Sequence, residues 1–157
     1  MAEILQELDD SNGTAFWCKL PCGAEAPYGG KQSPFYPGTG SAEEKGTGRG
    51  LEFTCNVPLA AGCSDADYRQ AFLEKLKPAA AAFKPDFVLV SMGFDAAKDD
   101  LLGQMKVTPE GFAELTHIIK ELAEQYCQGR LVTVLEGGYN LESLAASVEA
   151  HVRVLMQ

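Results

Sequence analysis

Histidine is scarce in this chain: 157 residues hold two, His117 and His151, beside a single tryptophan. Long apolar runs are missing as well, since none reaches the roughly 18 residues that cross a bilayer. The start, Met1-Ala2-Glu3-Ile4, carries neither the basic nor the apolar segment of a secretory signal. The expectation is a protein that stays in the cytoplasm. Basic charge is also short, with 13 Lys and Arg against 22 Asp and Glu and a formal net charge of −9. Without a basic stripe such a surface repels phosphate backbones and anionic lipid, so neither nucleic acid nor a membrane is expected as a partner, whereas a cationic ligand is attracted. The five cysteines are odd in number and sparse, which fits reduced thiols better than a disulfide scaffold. Cys18 and Cys22 have a spacing that can share a metal, but no second pair at zinc-finger spacing follows, and ordinary thiols are the expected reading.

What is present divides the chain in two. Residues 21–50 hold eight glycines and four prolines and show neither helical nor strand periodicity. Ahead of them AEILQEL has the length of two helical turns, and FWCKLPCGAEAPYGG shows no convincing strand pattern. LEFTCNVPL reads as one short strand ended by Pro58. The segment 1–33 is therefore poorly specified, either disordered or forming an interface, and 34–157 is the better defined domain.

From Ser64 onward the pattern is regular. Ser64 with Asp67 makes a capping box, and Tyr68, Phe72, Leu76, Ala80 and Phe83 follow at helical spacing, with Pro78 bending or dividing the helix. Phe87-Val88-Leu89-Val90 is a short apolar run of the kind covered on both faces. Thr108 and Pro109 open a second helix with a buried stripe of Phe112, Leu115, Ile119 and Leu122, and Gly129 is placed to end it. Leu131 to Leu135 is the second buried strand, and Asn140 caps a last helix. Alternating helices and strands call for right-handed crossovers, a mainly parallel sheet and an α/β fold.

Such sheets collect their chemistry beyond the carboxyl ends of the strands. Those loops here are SMGFDAAKDD and EGGYN, so that Asp95 and Tyr139 open onto one cleft if the two strands are neighbours. Asp95 is suited to bind a metal, act as a base or cap a turn. Gly137 and Gly138 permit a tight turn that aims Tyr139, whose hydroxyl either donates to an oxygen gaining negative charge or simply meets water. Glu136 either accepts from N–H groups of the turn or faces solvent.

PFYPGTG at 34–40, GTGRGLEFTCNVPLAAG at 46–62, SDADYRQAF from 64, KPDFVLVSMGFDA at 84–96, Leu102-Gly103, TPEGFAELT at 108–116 and VLEGGYNLESLAASV at 134–148 run in unbroken order. This succession resembles the carboxyl-terminal part of the histone deacetylase superfamily, in the style of zinc-dependent deacetylases and acetylpolyamine amidohydrolases. The resemblance implies a three-layer α/β/α domain with a mainly parallel sheet, truncated relative to the full deacetylase (arginase-like) fold. It implies a hydrolase that removes acetyl groups from lysine or polyamines, with zinc held by two aspartates and a histidine. Nearby histidines handle protons, and a tyrosine supports the oxyanion. By motif, a metal aspartate falls on Asp95 and the tyrosine on Tyr139, with Gly93, Phe94, Glu136, Gly137 and Gly138 shaping the site.

The family's Asp-x-His-His-Gly-Asn-Gly-Thr type run is echoed only by Asn12-Gly13-Thr14, which puts Glu7 and Asp9 at its ligand positions. A site of Glu7, Asp9 and Asp95 would favour ions harder than zinc. His117 projects away from its helix's apolar stripe and His151 sits at the edge of one, so both are expected to be structural or exposed. The metal-ligand and proton-transfer histidines thus have no counterpart here. The leading expectation is a deacetylase-like fragment that is catalytically incomplete by itself. The alternatives are part of a zinc amidohydrolase completed by an amino-terminal half, and a non-enzymatic binding or assembly module that forms homo-oligomers. An active form would take a cationic acetylated small molecule or an acetyl-lysine peptide.

Overall fold

The computed structural model describes residues 16–19 and 40–157. The expected helix over AEILQEL lies outside those residues. The chain forms two compact units, Met1–Ala61 and Gly62–Gln157.

In the first unit β1 (Trp17–Lys19) pairs in parallel with β2 (Thr54–Asn56), Cys18 lying opposite Cys55. β1 corrects the expectation of no strand within FWCKLPC: three residues are too few to show a period, and pairing with β2 decides their conformation. Asn56 Nδ2 donates to the carbonyls of Ser41 (3.1 Å) and Glu44 (2.9 Å). Gly46 has φ +90°, and a Cβ there would sit 2.2 Å from the Gly50 carbonyl oxygen, so the turn requires glycine.

In the second unit the capping box forms as read. The Ser64 N–H and hydroxyl both donate to Asp67 Oδ2, at 2.7 and 2.9 Å, and these bonds hold the exposed Asp67 carboxyl below its ordinary pKa. α1 (Asp65–Ala71) runs into a wide π turn over Phe72–Leu76, and α2 (Lys77–Phe83) follows with Pro78 in its first turn. The Lys77 N–H reaches back five residues to the Phe72 carbonyl. The division falls where the proline predicts it.

β3 (Val88–Met92) and β4 (Leu131–Leu135) are parallel neighbours, with Val88 opposite Leu131 and Met92 opposite Leu135. α3 (Pro109–Cys127) and α4 (Leu141–Leu155) pack together. Thr108 and Asn140 cap them as expected, the Thr108 hydroxyl accepting from the Gly111 N–H and Asn140 from the N–H groups of Glu142 and Ser143. Asp65 ties α1 to the start of α3, because its carboxylate accepts from both the N–H and the hydroxyl of Thr108, each at 2.7 Å. α3 ends one residue before the glycine, on left-handed Gln128, with Gly129 also at positive φ.

The sheet departs from expectation in one respect. Thr133 bonds to His151 of α4, so the face it shares with Val90 meets the helices. Leu89, Val132 and Val134 on the opposite face are 44–49% exposed. The apolar runs predicted strands covered on both faces, but the described residues lay helices over one side.

A buried polar chain crosses this core. Thr116 Oγ1 donates to the Phe112 carbonyl (2.6 Å), which uses its only proton, so it accepts from His151 Nδ1 (2.8 Å). With Nδ1 protonated, Nε2 accepts from the Thr133 hydroxyl (3.1 Å). His151 is thus a neutral structural residue, 4% exposed, edge-on to Phe94. His117 is exposed, as its position on α3 predicts.

Burial holds His151 below the ordinary 6.5. The unfolded chain therefore takes up its proton first, and the stability this residue contributes is complete above that value and lost as pH falls below it. Thermal midpoints should drop between about pH 7.5 and about pH 5, and drop less in His151→Gln. In urea, Thr116→Val should cost about 1–3 kcal/mol, because it strands the buried Nδ1–H.

Candidate active site

The β3–β4 ladder continues past the strand ends. The Glu136 N–H donates to the Met92 carbonyl (3.1 Å) and the Phe94 N–H to the Gly137 carbonyl (2.8 Å), so the two strand-end loops are stitched together. Phe94 drops into the core, 2% exposed, with its ring 5.0 Å from that of Phe112. That anchor fixes the short 3-10 turn Phe94–Ala96, which carries Asp95.

Glycines enclose Asp95. A Cβ at Gly137 would lie 2.6 Å from Asp95 Oδ2, and one at Gly93 would lie 2.8 Å from Oδ1. Behind the turn, a Cβ on Gly103 would stand 1.6 Å from the Asp95 carbonyl oxygen. The half-buried carboxyl is raised above its ordinary pKa, chiefly by desolvation and further by the nearby negative charge of Asp100. A carboxylate kept this short of water gains from a cationic neighbour. Gly138, at φ +141°, packs against Leu144 and Phe94 and turns the chain toward Tyr139.

Tyr139 is 41% exposed, and its N–H donates to Asp100 Oδ2 at 2.6 Å. Asp100 Oδ1 accepts from the N–H groups of Leu102 (2.9 Å) and Gly103 (3.1 Å). Desolvation pushes the Asp100 carboxyl up, but the N–H groups of Leu102, Tyr139, Gly103 and Asn140 outweigh it and hold the pKa low. Asn140 Nδ2 adds a bond to the Asp99 carbonyl (3.0 Å), so the loop carrying Asp95 and the turn carrying Tyr139 are tied a second time. Asp99 and Gln104, both in left-handed conformations, flank the Asp100–Gly103 turn.

Asp100 and Gly103 also build the site. An acid two and three residues ahead of the N–H groups it binds is an Asx-turn signal, and it could have pointed to Asp100. Nothing in the sequence reveals the close approach at Gly103. Glu136 is half-buried, and its Oε2 is buried without a hydrogen-bond partner among the described residues. Glu7 and Asp9 lie outside the described residues.

Residues 28–155 match the model of the histone deacetylase domain. The chain belongs to the histone deacetylase family. It is 46% identical over 123 residues to histone deacetylase 15 of Arabidopsis thaliana, an alignment spanning 78% of this chain and 22% of that protein. The human polyamine deacetylase HDAC10 is 51% identical over 116 residues, spanning 73% of this chain and 17% of the relative. The crystal structure of the HDA15 HD domain superposes with a TM-score of 0.78 at 38% identity, over 94% of this chain and 39% of the other. The chain thus spans about a fifth of the length of these two curated relatives, and its α/β fold with a parallel sheet is part of the full deacetylase domain.

Membership of the histone deacetylase family implies zinc in general. Among the described residues, however, no three His, Cys, Asp or Glu side chains cluster closely enough to hold a metal ion. Asp95 is a suitable oxygen donor, but a zinc centre takes three or four protein ligands. The described donor set does not fit a complete one.

Asp100→Ala removes the acceptor of several loop N–H groups and should destabilise the chain by about 2 kcal/mol in urea. Gly103→Ala should cost more than Gly137→Ala, because it collides with backbone, whereas Gly137→Ala meets a side chain that can rotate.

Proposed function

We propose that this chain supplies one part of a zinc-dependent deacetylase site and is not sufficient for catalysis by itself. The observation that carries this reading is the pairing of strand-end loops, which holds the Asp95 carboxylate and the Tyr139 turn beside each other through Phe94–Gly137 and Asp100–Tyr139 bonds. Asp95 serves as one metal-ligand position, with Gly93, Phe94, Gly137 and Gly138 fixing its orientation. The Tyr139 hydroxyl donates to the carbonyl oxygen of an acetyl amide as that oxygen takes up negative charge, an interaction stronger in the tetrahedral transition state than in the ground state. The remaining ligands and the group that moves the proton come from outside the described residues. The net charge of −9 favours a cationic acetylated amine or an acetyl-lysine peptide as the substrate class.

A second reading rests on the exposed face of Leu89, Val132 and Val134. A surface of that kind suits burial against an amino-terminal deacetylase half or another copy of the chain, and the module then acts through assembly.

The isolated chain, prepared free of chelator, should bind less than one equivalent of zinc and should not turn over a fluorogenic acetyl-lysine substrate. Joined to an amino-terminal half bearing the Asp-x-His run, it should gain activity, and Tyr139→Phe should lower kcat by about 10²–10³ with folding intact. Full turnover by the chain alone would refute the incomplete-site reading. A joined form without activity would favour the assembly reading.

A further inference from the structure

Two cysteines meet across the β1–β2 pair. Parallel register sets Cys18 directly opposite Cys55, and residues in register project from the same face. Adjacent strands lie about 4.8 Å apart, inside the Cα separation of about 4.4–6.8 Å that disulfides span. The two side chains are hydrogen bonded to each other, and neither is in a disulfide. Both are half-buried, which leaves a small reagent a way in. Cys127 is a contrast: it is fully buried, and its Sγ donates to the Arg130 carbonyl at 3.4 Å.

The pair is asymmetric. The hydrogen bond to Cys55, then burial, then the negative charge of Cys55 raise the Cys18 thiol far above its ordinary 9.0. Cys18 therefore holds its proton tightly, and its thiol stands beside the Cys55 sulfur as a proton donor for exchange.

We propose that Cys18 and Cys55 form a reversible dithiol–disulfide pair that exchanges with small-molecule disulfides of the glutathione type. The Cys55 thiolate attacks one sulfur of the reagent, forming a mixed disulfide and releasing one thiolate. That thiolate takes up the Cys18 proton. Cys18 sulfur then attacks Cys55 sulfur, closing the Cys18–Cys55 bond and releasing the second thiolate, which is protonated by the proton Cys55 had lost to solvent. The net change converts one reagent disulfide into two thiols and the protein dithiol into a disulfide. The product ties β1 covalently to β2, and because it forms by exchange, reduced glutathione reverses it. This chemistry is independent of the deacetylase reading.

The test is native incubation of the full chain with oxidised glutathione, followed by alkylation, digestion and mass spectrometry. The five alkylatable thiols should fall to three. A Cys18–Cys55 cross-linked peptide should appear and be lost on return to reduced glutathione. Cys18→Ser should stop at a glutathione adduct on Cys55, and Cys55→Ser should yield no cross-link to Cys18. In denaturant the native chain should lose its preference for this pair. Five thiols surviving an excess of reagent would overturn the proposal, as would native cross-links to Cys22 or Cys63 in place of this pair.

Discussion

The arrangement of the second unit depends on a ladder that does not stop where its strands do. Bonds from Glu136 to Met92 and from Phe94 to Gly137 carry parallel pairing into the loops, and this is possible because residue 137 has no side chain. A Cβ there would strike the Asp95 carboxylate and turn it out of its place. Backbone pairing, a buried Phe94 and a glycine together fix a half-buried acid at a strand end, where α/β sheets gather reactive groups. Asp100 repeats the effect at longer range by gathering N–H groups from both loops around one carboxylate.

Much of this was legible in the residues. Thr108-Pro109, Asn140 and the Ser64–Asp67 box act locally, so their caps could be read without a fold. The two five-residue strands were marked by apolar runs, and helical alternation implied their parallel pairing. The positions of Asp95 and Tyr139 followed from the rule of strand ends. The roles of Asp100 and Gly103 were not legible, because they arise from contacts between loops far apart in the chain. Local pattern could not reveal β1 either, since a three-residue strand exists only through its partner.

The apolar character of β3 and β4 gave a misleading forecast of burial. Period and composition report what a strand can tolerate, whereas the layers actually present decide what covers it. Leu89, Val132 and Val134 stay open to solvent although their types suit a core. The buried His151 shows the converse: a polar residue at the edge of an apolar stripe is drawn inside because two threonines satisfy both ring nitrogens. Its place at the edge of the stripe leaves it structural or exposed, and the threonine partners that decide between these come from other elements.

The wide turn over Phe72–Leu76 reconciles two incompatible periods. Buried Tyr68, Phe72 and Ala80 and half-buried Leu76 recur every fourth residue, and on a regular α-helix each such step drifts sideways by about 40°. A turn that closes on the fifth residue absorbs part of that drift and keeps the row in line. It behaves as a one-residue insertion assimilated by the helix. Excising one residue there should return the turn to ordinary α-helical closure with Ala80 still on the inward side.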